Sequence, residues 1–315
     1  MYKDKRIAVV IPAYNEEKLI NRVIDTMPEI VDTIIIVDDC STDATCEKVE
    51  ASSDKRIVLV RHQVNGGAGR AIASAYQWLL EHEDKGDIAV SMDGDGQMDP
   101  DDMPALIDPL IEEGMDYTKG NRLFTGEAWT MIPKVRYFGN SFLSFLTKIA
   151  SGYWHVADSQ TGYRAITREA LGRLPLDKLY GRYGFPNHLL VLLNIAGAKV
   201  KDVPVRPIYG IGEKSGIRLS RVVPRLSWLL IKQFFYRLGA KYVIRDFHPL
   251  VLFYMTGFFL ILMDIPLVFR LFYLLVVKKR IFQANLQTVI FVTIMAIQFL
   301  LFAMWFDMDY NKNLK

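Results

Sequence analysis

The sequence contains only two cysteines among its 315 residues, Cys40 and Cys46. Two thiols cannot provide the disulfide framework of a small secreted protein, and their spacing without a neighbouring histidine is not a zinc-binding pattern. The first six residues also lack the apolar core of a signal peptide. We therefore expect two reduced cysteines in an N-terminal domain that lies in the cytosol.

A strong charge of either sign is missing as well. The chain has 38 Lys and Arg against 35 Asp and Glu, a formal net charge of +3, which argues against a general nucleic-acid binder. Hydrophobic residues make up 51% of the chain, so a mainly disordered protein is excluded. The mean hydropathy of +0.14 is high for a soluble enzyme, and the apolar excess lies after about residue 248. The sequence therefore predicts a soluble domain followed by a hydrophobic segment.

Before about residue 210, apolar runs of strand length alternate with stretches of helical periodicity. We predict buried strands at residues 7–11, 33–37, 57–60 and 87–92, and helices at 16–27 and 69–81. Strands that alternate with helices form βαβ units, so we expect an α/β domain with a mostly parallel sheet flanked by helices.

Polar residues follow four of the predicted strands at their carboxyl ends. They are Tyr14-Asn15-Glu16, Asp38-Asp39, Asn65-Gly66-Gly67 and Asp93-Gly94-Asp95-Gly96-Gln97. In parallel sheets, ligands bind beyond the carboxyl ends of the strands. We therefore expect the active site at this edge of the sheet.

The alternate carboxylates of Asp93 and Asp95 carry the strongest chemical signal. On an extended segment before a glycine turn they converge on one hard cation, which stabilises a departing nucleotide diphosphate as a Lewis acid. A solvated acidic turn before the next helix is the alternative. Asp38 and Asp39 are suited to accept hydrogen bonds from a ribose or a base. A helix-capping role for one of them, above all Asp38, is the alternative. Arg70 follows a glycine-rich turn that matches neither the Rossmann nor the phosphate-loop fingerprint, and we expect it near a phosphate.

From Arg218 to Arg245 the chain has basic residues, no acidic ones, and interleaved apolar side chains. The basic residues are Arg218, Arg221, Arg225, Lys232, Arg237, Lys241 and Arg245. This composition is typical of helices that lie on an anionic membrane surface. A solvated basic helix packed on the domain is the alternative.

The C-terminal segment contains two candidate membrane spans. Residues 288–306 carry no charge and form about 28 Å of helix, enough to cross a bilayer core. The candidate at about 249–270 contains Asp264, expected near the far interface, and Arg270, expected to snorkel; a buried soluble hairpin is the alternative. The basic excess before the first span predicts a cytoplasmic N-terminal domain. We divide the chain into a domain at 1–215, interfacial helices at 216–247 and a membrane domain at 248–315.

Segments 11–17, 37–45 and 93–97, which read IPAYNEE, VDDCSTDAT and DGDGQ, resemble the signature blocks of glycosyltransferase family 2, which has the GT-A fold. Two further segments, GNRL at 120–123 and DSQTGYR at 158–164, resemble its polyprenyl-phosphate branch. That branch contains the dolichyl-phosphate mannose and glucose synthases and their bacterial relatives. The resemblance covers about residues 6–215, and the two spans fit those members that have a membrane hairpin.

The resemblance implies roles for particular residues. The metal, Mg²⁺ or Mn²⁺, is held by Asp93, Asp95 and Gln97. The nucleotide-sugar is bound by Pro12, Tyr14, Glu16, Asp39, Asp93 and Lys214, to which we add Arg70 from its place in the sequence. The lipid phosphate is bound by Arg122, Arg136, Asn140 and Arg218. The residues expected to be catalytic are Asp93, Asp95, Arg122 and Arg136, and Lys214 and Arg218 lie on a loop expected to close over the site.

Two departures from the family pattern bear on the mechanism. The Gln-x-x-Arg-Trp block of processive polysaccharide synthases is missing, because Gln160 and Arg164 have another spacing and no Trp follows. His188 stands where many relatives that glycosylate hydroxyl groups have an acidic base. An alcohol needs a base, whereas a phosphate monoester is largely a dianion at neutral pH and attacks without one. Such an acceptor needs cations to position it, and Arg122 and Arg136 are suited to this.

The expected protein is a membrane-bound, metal-dependent, inverting glycosyltransferase. It transfers one sugar from a nucleotide-sugar of the GDP-mannose or UDP-glucose type to polyprenyl or dolichyl phosphate. We expect a multi-pass protein of the cell membrane whose partners are both substrates and the lipid bilayer, with no nucleic acid; homo-oligomers are left open. Two alternatives stay open: a family 2 enzyme that uses a sugar or protein hydroxyl as acceptor, and a catalytically silent membrane scaffold. The sequence does not predict which sugar or nucleotide is used.

Overall fold

The computed structural model describes residues 1–123, 134–206, 208, 219–279 and 282–315, with the backbone alone at 134–138, 140 and 219–221. The chain divides into two compact units. The first comprises Met1–Phe234 with Leu314–Lys315, and the second comprises Phe235–Asn313. The domain limits expected at residues 215 and 247 stay predictions.

A seven-stranded sheet is the framework of the first unit. Its strands are β1 (Ile7–Ala13), β2 (Thr33–Asp38), β3 (Ile57–Arg61), β4 (Ile88–Ser91), β5 (Tyr117–Asn121), β6 (Arg164–Thr167) and β7 (Val200–Pro204). Their order across the sheet is β3-β2-β1-β4-β6-β5-β7, and β6 is antiparallel to both of its neighbours while the other pairs are parallel. The predicted mostly parallel α/β sheet is confirmed, and the antiparallel strand β6 is an addition to it.

The strand ends lie side by side at the edge where the site is predicted. Strands β1 and β2 are apolar and buried, as expected for strands covered on both faces. Ala13 pairs with Asp38 in register, so these two strands end together. Strand β4 pairs with β1 on its other side and leads into Asp93. The polar residues that follow the three strands therefore meet.

Helices cover both faces of the sheet. They are α1 (Ile20–Asp25), α2 (Thr45–Glu50), α3 (Ala68–Glu81), α4 (Met103–Glu112), α5 (Lys134–Ser151), α6 (Arg168–Gly172) and α7 (Phe185–Ala196). A further helix, α8 (Leu219–Gly239), comes after β7 in the chain. Leu79 of α3 and Leu189 of α7 belong to one buried core, and Val23 of α1 and Leu106 of α4 belong to the other. The helix predicted at 16–27 begins only at Ile20, which leaves Glu16 in a turn at the sheet edge.

Two long apolar helices, α9 (Leu250–Val276) and α10 (Gln283–Tyr310), form a hairpin in the second unit. They run antiparallel, because the rings of Phe253 and Phe306 lie 5.2 Å apart while Asp264 contacts Thr293 further along. Both helices are long and apolar enough to cross a membrane, and most of their side chains are exposed. Both predicted spans are present as helices and are longer than expected.

Asp264 does not lie near the end of its helix, as the sequence suggested. It lies near the middle of α9, where its Oδ2 accepts a 2.5 Å hydrogen bond from Thr293 Oγ1. A partner on the neighbouring helix lowers the cost of a carboxyl group in apolar surroundings, so the helix continues past it.

Two of the seven basic residues expected at a membrane surface are buried inside the second unit. Arg237 has no exposed surface and pairs with Asp307, and Lys241 donates to Asn311 Oδ1 at 2.7 Å. The surface prediction is wrong for these two residues, because α10 offers them acidic and amide partners. Among the basic residues of this stretch whose side chains the structure describes, Arg225, Lys232 and Arg245 are exposed.

Candidate active site

A cleft of about 260 Å³ opens at the carboxyl ends of β1, β2 and β4. The predicted site residues that line it are Pro12, Tyr14, Glu16, Asp39, Asp93 and Asp95. The lining also includes Gln160 and Gly162, which lie in the segment before β6, and Phe185, the first residue of α7. Three of the four polar clusters found in the sequence thus meet in one cleft.

Carboxylates dominate one part of this cleft. Burial, together with the negative charges of Asp95 and Asp93, raises the pKa of Glu16 to about 7. Burial also raises the pKa of Asp93, although the positive charges of Arg164, Arg122 and Lys119 oppose the shift. Like charges are therefore held close together on the cleft wall, an arrangement that a bound cation stabilises.

The donor atoms fit a hard divalent cation in part. Asp93 and Asp95 line the same cleft, and Asp95 Oδ1 accepts a 3.0 Å hydrogen bond from the backbone of Gln97. In the part of the chain that the structure describes, no three His, Cys, Asp or Glu side chains are grouped to hold a metal. Two carboxylates suffice for Mg²⁺ or Mn²⁺ when phosphate oxygens and waters complete the coordination shell.

Asp39 holds the glycine-rich turn in addition to lining the cleft. Its Oδ1 accepts from Gly66 N at 2.9 Å and its Oδ2 from Gly67 N at 2.7 Å. His62 Nδ1 lies 2.8 Å from Asp39 Oδ1, and His62 Nε2 lies 2.9 Å from Ser74 Oγ on α3. His62 was missed in the sequence, where its place directly after β3 was the one available signal. Asp39 therefore shapes the cleft whether or not it also touches a ligand.

Comparison with known proteins assigns the chain to a family. Residues 8–174 match the family model described as glycosyl transferase family 2. The chain belongs to this family. It is an enzyme of the glycosyltransferase class, and the resemblance drawn from its sequence motifs is confirmed.

Named relatives of this glycosyltransferase act on lipid phosphates. It is 34% identical over 221 residues to the UDP-N-acetylglucosamine–dolichyl-phosphate N-acetylglucosaminyltransferase of Methanococcus voltae. This alignment covers 65% of this chain and 87% of that protein. It is 29% identical over 209 residues to the dolichol-phosphate mannosyltransferase of Pyrococcus furiosus. That alignment covers 63% of this chain and 55% of the mannosyltransferase. These relatives support the predicted polyprenyl-phosphate branch.

A solved structure supports the fold. The glucosyl-3-phosphoglycerate synthase of Mycobacterium tuberculosis, in complex with Mn²⁺, UDP and phosphoglyceric acid, aligns with a TM-score of 0.54. The alignment has 23% sequence identity and covers 75% of this chain and 79% of that one. At this identity the likeness shows the fold alone, and it confirms the predicted GT-A architecture.

Arg122 of the glycosyltransferase is fixed in orientation by a buried partner. Its Nε donates to Asp158 Oδ2 at 2.7 Å and its Nη2 to Asp158 Oδ1 at 3.2 Å. Although burial opposes ionisation, the Arg122 charge holds the pKa of Asp158 below its ordinary value. Arg122 does not line the cleft itself, but its charge acts on Asp93. Asp158, whose role in the site was not foreseen in the sequence, therefore positions a predicted acceptor-binding residue.

Two of the remaining predicted residues, Arg70 and Gln97, do not line the cleft, and four others fall where the structure describes no side chain. Arg70 is exposed on α3 and its side chain lies against Gly66, and Gln97 follows the acidic segment without lining the cleft. Arg136 and Asn140 lie on α5, where the side chains are outside the described part of the chain. Lys214 and Arg218 lie outside the described residues altogether. Their roles stay predictions.

His188 is not available as a base in this structure. It lies in the first turn of α7, is 6% exposed, and its Nδ1 accepts a 3.0 Å hydrogen bond from Tyr180 N. Burial lowers the pKa of His188 to about 4, so the ring is neutral at physiological pH. It does not line the cleft, so we interpret His188 as a structural residue at the start of α7.

We expect His188 to make the protein less stable in acid. Because its pKa is about 4 when folded and 6.5 in the reference state, the unfolded chain takes up the proton first. Its contribution to stability is complete above pH 6.5 and falls by about 3 kcal/mol as the pH approaches 4. The loss is measured by unfolding the detergent-solubilised wild type above pH 6.5 and near pH 4. The comparison is His188→Asn, which keeps an acceptor for Tyr180 N. An equal loss in acid for both proteins would contradict the assignment.

Proposed function

We propose that the glycosyltransferase transfers one sugar from a nucleotide-sugar to the phosphate of a membrane polyprenol, with inversion at the anomeric carbon. The observation that carries this proposal is the acidic cleft of Asp93 and Asp95 beside Arg122, which Asp158 holds in a fixed orientation. The acidic side suits a metal-bound donor diphosphate, and the arginine suits an anionic acceptor. Relatives named for transfer to dolichyl phosphate support the same acceptor class.

The acceptor chemistry explains why no base is required. A phosphate monoester is largely a dianion at neutral pH, so its oxygen attacks the anomeric carbon without losing a proton. Arg122, aligned by Asp158, and Arg136 on α5 would orient that phosphate. The neutral, hydrogen-bonded His188 fits a mechanism in which the base position of other relatives has no task.

The donor side is built from the edge of the sheet. Pro12, Tyr14 and Glu16 would contact the nucleotide-sugar, and Asp39 keeps the glycine-rich turn in place beside it. Asp93 and Asp95, with Gln97, would hold Mg²⁺ or Mn²⁺, which when bound acts as a Lewis acid on the diphosphate. A loop that carries Lys214 would close over the donor and exclude water.

The location of the acceptor is consistent with the C-terminal helices. We place α9 and α10 across the membrane, with the catalytic unit on the cytoplasmic side according to the positive-inside rule. Helix α8 exposes Arg225, Lys232 and Trp228, and Lys232 Nζ lies 5.4 Å from the centre of the Trp228 ring. Basic and aromatic side chains of this kind suit the surface of an anionic leaflet.

A transfer assay with the full-length protein tests the proposal. Membranes that contain it receive Mn²⁺, a radiolabelled nucleotide-sugar (UDP-N-acetylglucosamine, UDP-glucose or GDP-mannose) and either dolichyl phosphate or dolichol. We expect label in lipid with dolichyl phosphate and one donor, and none with dolichol. Label transferred only to dolichol or to a sugar hydroxyl would overturn the acceptor assignment. Equal lipid label for the wild type and Asp95→Ala would overturn the metal assignment.

A further inference from the structure

Two buried basic side chains lie side by side in the sheet below the cleft. Arg164, the first residue of β6, pairs in register with Ser91 of β4 on one side and with Lys119 of β5 on the other. Both Arg164 and Lys119 have no exposed surface. Residues directly opposite each other share one face with Cβ atoms about 5 Å apart, and like charges in this position repel. Burial and the charge of Arg164 lower the pKa of Lys119 to about 7, so Arg164 is the permanent charge of the pair.

The two basic side chains differ in their contacts. Lys119 Nζ donates to Thr161 O at 2.7 Å. Among the described residues, none of the three guanidinium nitrogens of Arg164 has a hydrogen-bond partner, and the group lies 4.4 Å from the centre of the Phe185 ring. Buried polar groups are nearly always hydrogen-bonded, so a buried arginine whose polar neighbours, among them the phenols of Tyr76 and Tyr117, offer it no well-aligned hydrogen bond is unusual.

The surroundings of Arg164 lead to the cleft. The groups whose charge or polarity acts on it include the phenols of Tyr76 and Tyr117 and the carboxylate of Asp93. Asp93 lies two residues after Ser91, the strand partner of Arg164, and it lines the cleft. Phe185, which covers the guanidinium, lines the same cleft. Arg164 therefore lies beneath two neighbouring parts of the cleft wall without reaching the cleft itself.

We propose that Arg164 is a positioning residue of the donor site. Its charge holds the Asp93 carboxylate, and its guanidinium plane holds the Phe185 ring against which the donor binds. This inference rests on the proposed function, since it assigns this side of the cleft to the nucleotide-sugar. Arg164 touches neither substrate; it fixes the two groups that do.

A half-buried arginine on α6, Arg168, shows what a purely structural role looks like. Arg168 Nε donates to Gly86 O at 2.8 Å, and its Nη2 donates to His82 O at 2.8 Å. These bonds join α6 to the segment before β4 and have no connection with the cleft lining. Arg168→Met therefore serves as the matched control for Arg164→Met, because both variants remove an arginine at similar volume.

Binding of Mn²⁺ with UDP or GDP to the purified full-length protein, measured by calorimetry, tests the proposal without relying on turnover. We expect Arg164→Met to weaken nucleotide binding by roughly ten- to a hundredfold, the range seen when groups behind a metal ligand are removed. Arg164→Lys, which keeps the charge but loses the plane, should recover part of the affinity. Arg168→Met should lower the unfolding temperature and leave the affinity unchanged. Wild-type affinity in folded Arg164→Met would overturn the proposal.

If the wild type binds neither nucleotide, that result counts against the proposed function and not against this inference. A double-mutant cycle on protein stability then tests the role of Arg164. In the wild type, Arg164→Met removes the largest of the positive charges that act on Asp93, whereas with Asp93→Asn the arginine loses this carboxylate in any case. The two substitutions should therefore lower the unfolding temperature together by clearly less than the sum of their single effects. Strict additivity would overturn the proposal. If Arg164→Met does not fold, the same cycle is run with Arg164→Lys and Phe185→Leu, where additivity has the same meaning.

Discussion

The Gly162→Ala variant should fold and yet lose at least about 100-fold in kcat/KM for sugar transfer, the loss expected when a functional group moves by about 1 Å. A Cβ at Gly162 would lie 2.4 Å from Asp93 Oδ2 and 2.8 Å from Met98 Cε. Neither contact is tolerated, so the carboxylate must leave its place on the cleft wall. The assay with dolichyl phosphate and the preferred donor measures the effect.

The stability of this variant should change much less than its activity. Overpacking of this size costs about 1–3 kcal/mol, because the Asp93 carboxylate and the Met98 methyl group can both shift. Gly172→Ala is the matched control, since a Cβ there meets nothing within 4 Å and the residue is exposed on α6. Its activity should equal that of the wild type. Activity within about threefold of the wild type in Gly162→Ala would mean that the position of Asp93 does not matter for transfer.

The sheet edge that carries the cleft was predictable because its signals are local. Apolar runs of strand length are followed directly by polar residues, as in β1 before Tyr14 and β4 before Asp93. Parallel pairing then brings those residues together without any further information. Strand β6 was not predictable in this way, since it is four residues long and begins with a buried arginine.

The residues that support the cleft were harder to foresee. Asp158 lies 36 positions from Arg122, and His62 lies 23 positions from Asp39. Neither pair has a spacing that a helix or a strand would impose. The contacts are therefore determined by the packing of elements that are distant in the sequence. Sequence patterns therefore identify the groups that face the ligand better than the groups that hold them.

The same limit applies to the hydrophobic end of the chain. Hydropathy predicted both long helices, because their apolar composition is continuous over many residues. It could not show that Arg237, in a stretch of basic residues, would turn inward to meet Asp307 near the end of α10. A run of like charges describes an average environment, and the exception depends on one acidic residue 70 positions away.

Removing one partner of that buried pair should destabilise the second unit strongly. Arg237 donates through both Nη atoms to Asp307, each at 2.8 Å, and neither side chain has exposed surface. Tyr242 Oη and Asn311 Nδ2 donate to the same carboxylate at 2.5 and 3.0 Å. Arg237→Met leaves this carboxylate buried without its paired guanidinium, which should lower the free energy of unfolding by about 3–5 kcal/mol.

Unfolding of the detergent-solubilised protein measures this loss, and Arg245→Met is the control because Arg245 is an exposed basic residue of the same stretch. The control should change the stability by no more than about 0.5 kcal/mol. Adding Asp307→Leu to Arg237→Met removes the orphaned charge and should restore most of the stability, since apolar replacements of buried ion pairs are often neutral. If the double variant is no more stable than Arg237→Met, the loss comes from packing around Arg237 and not from the unpaired carboxylate.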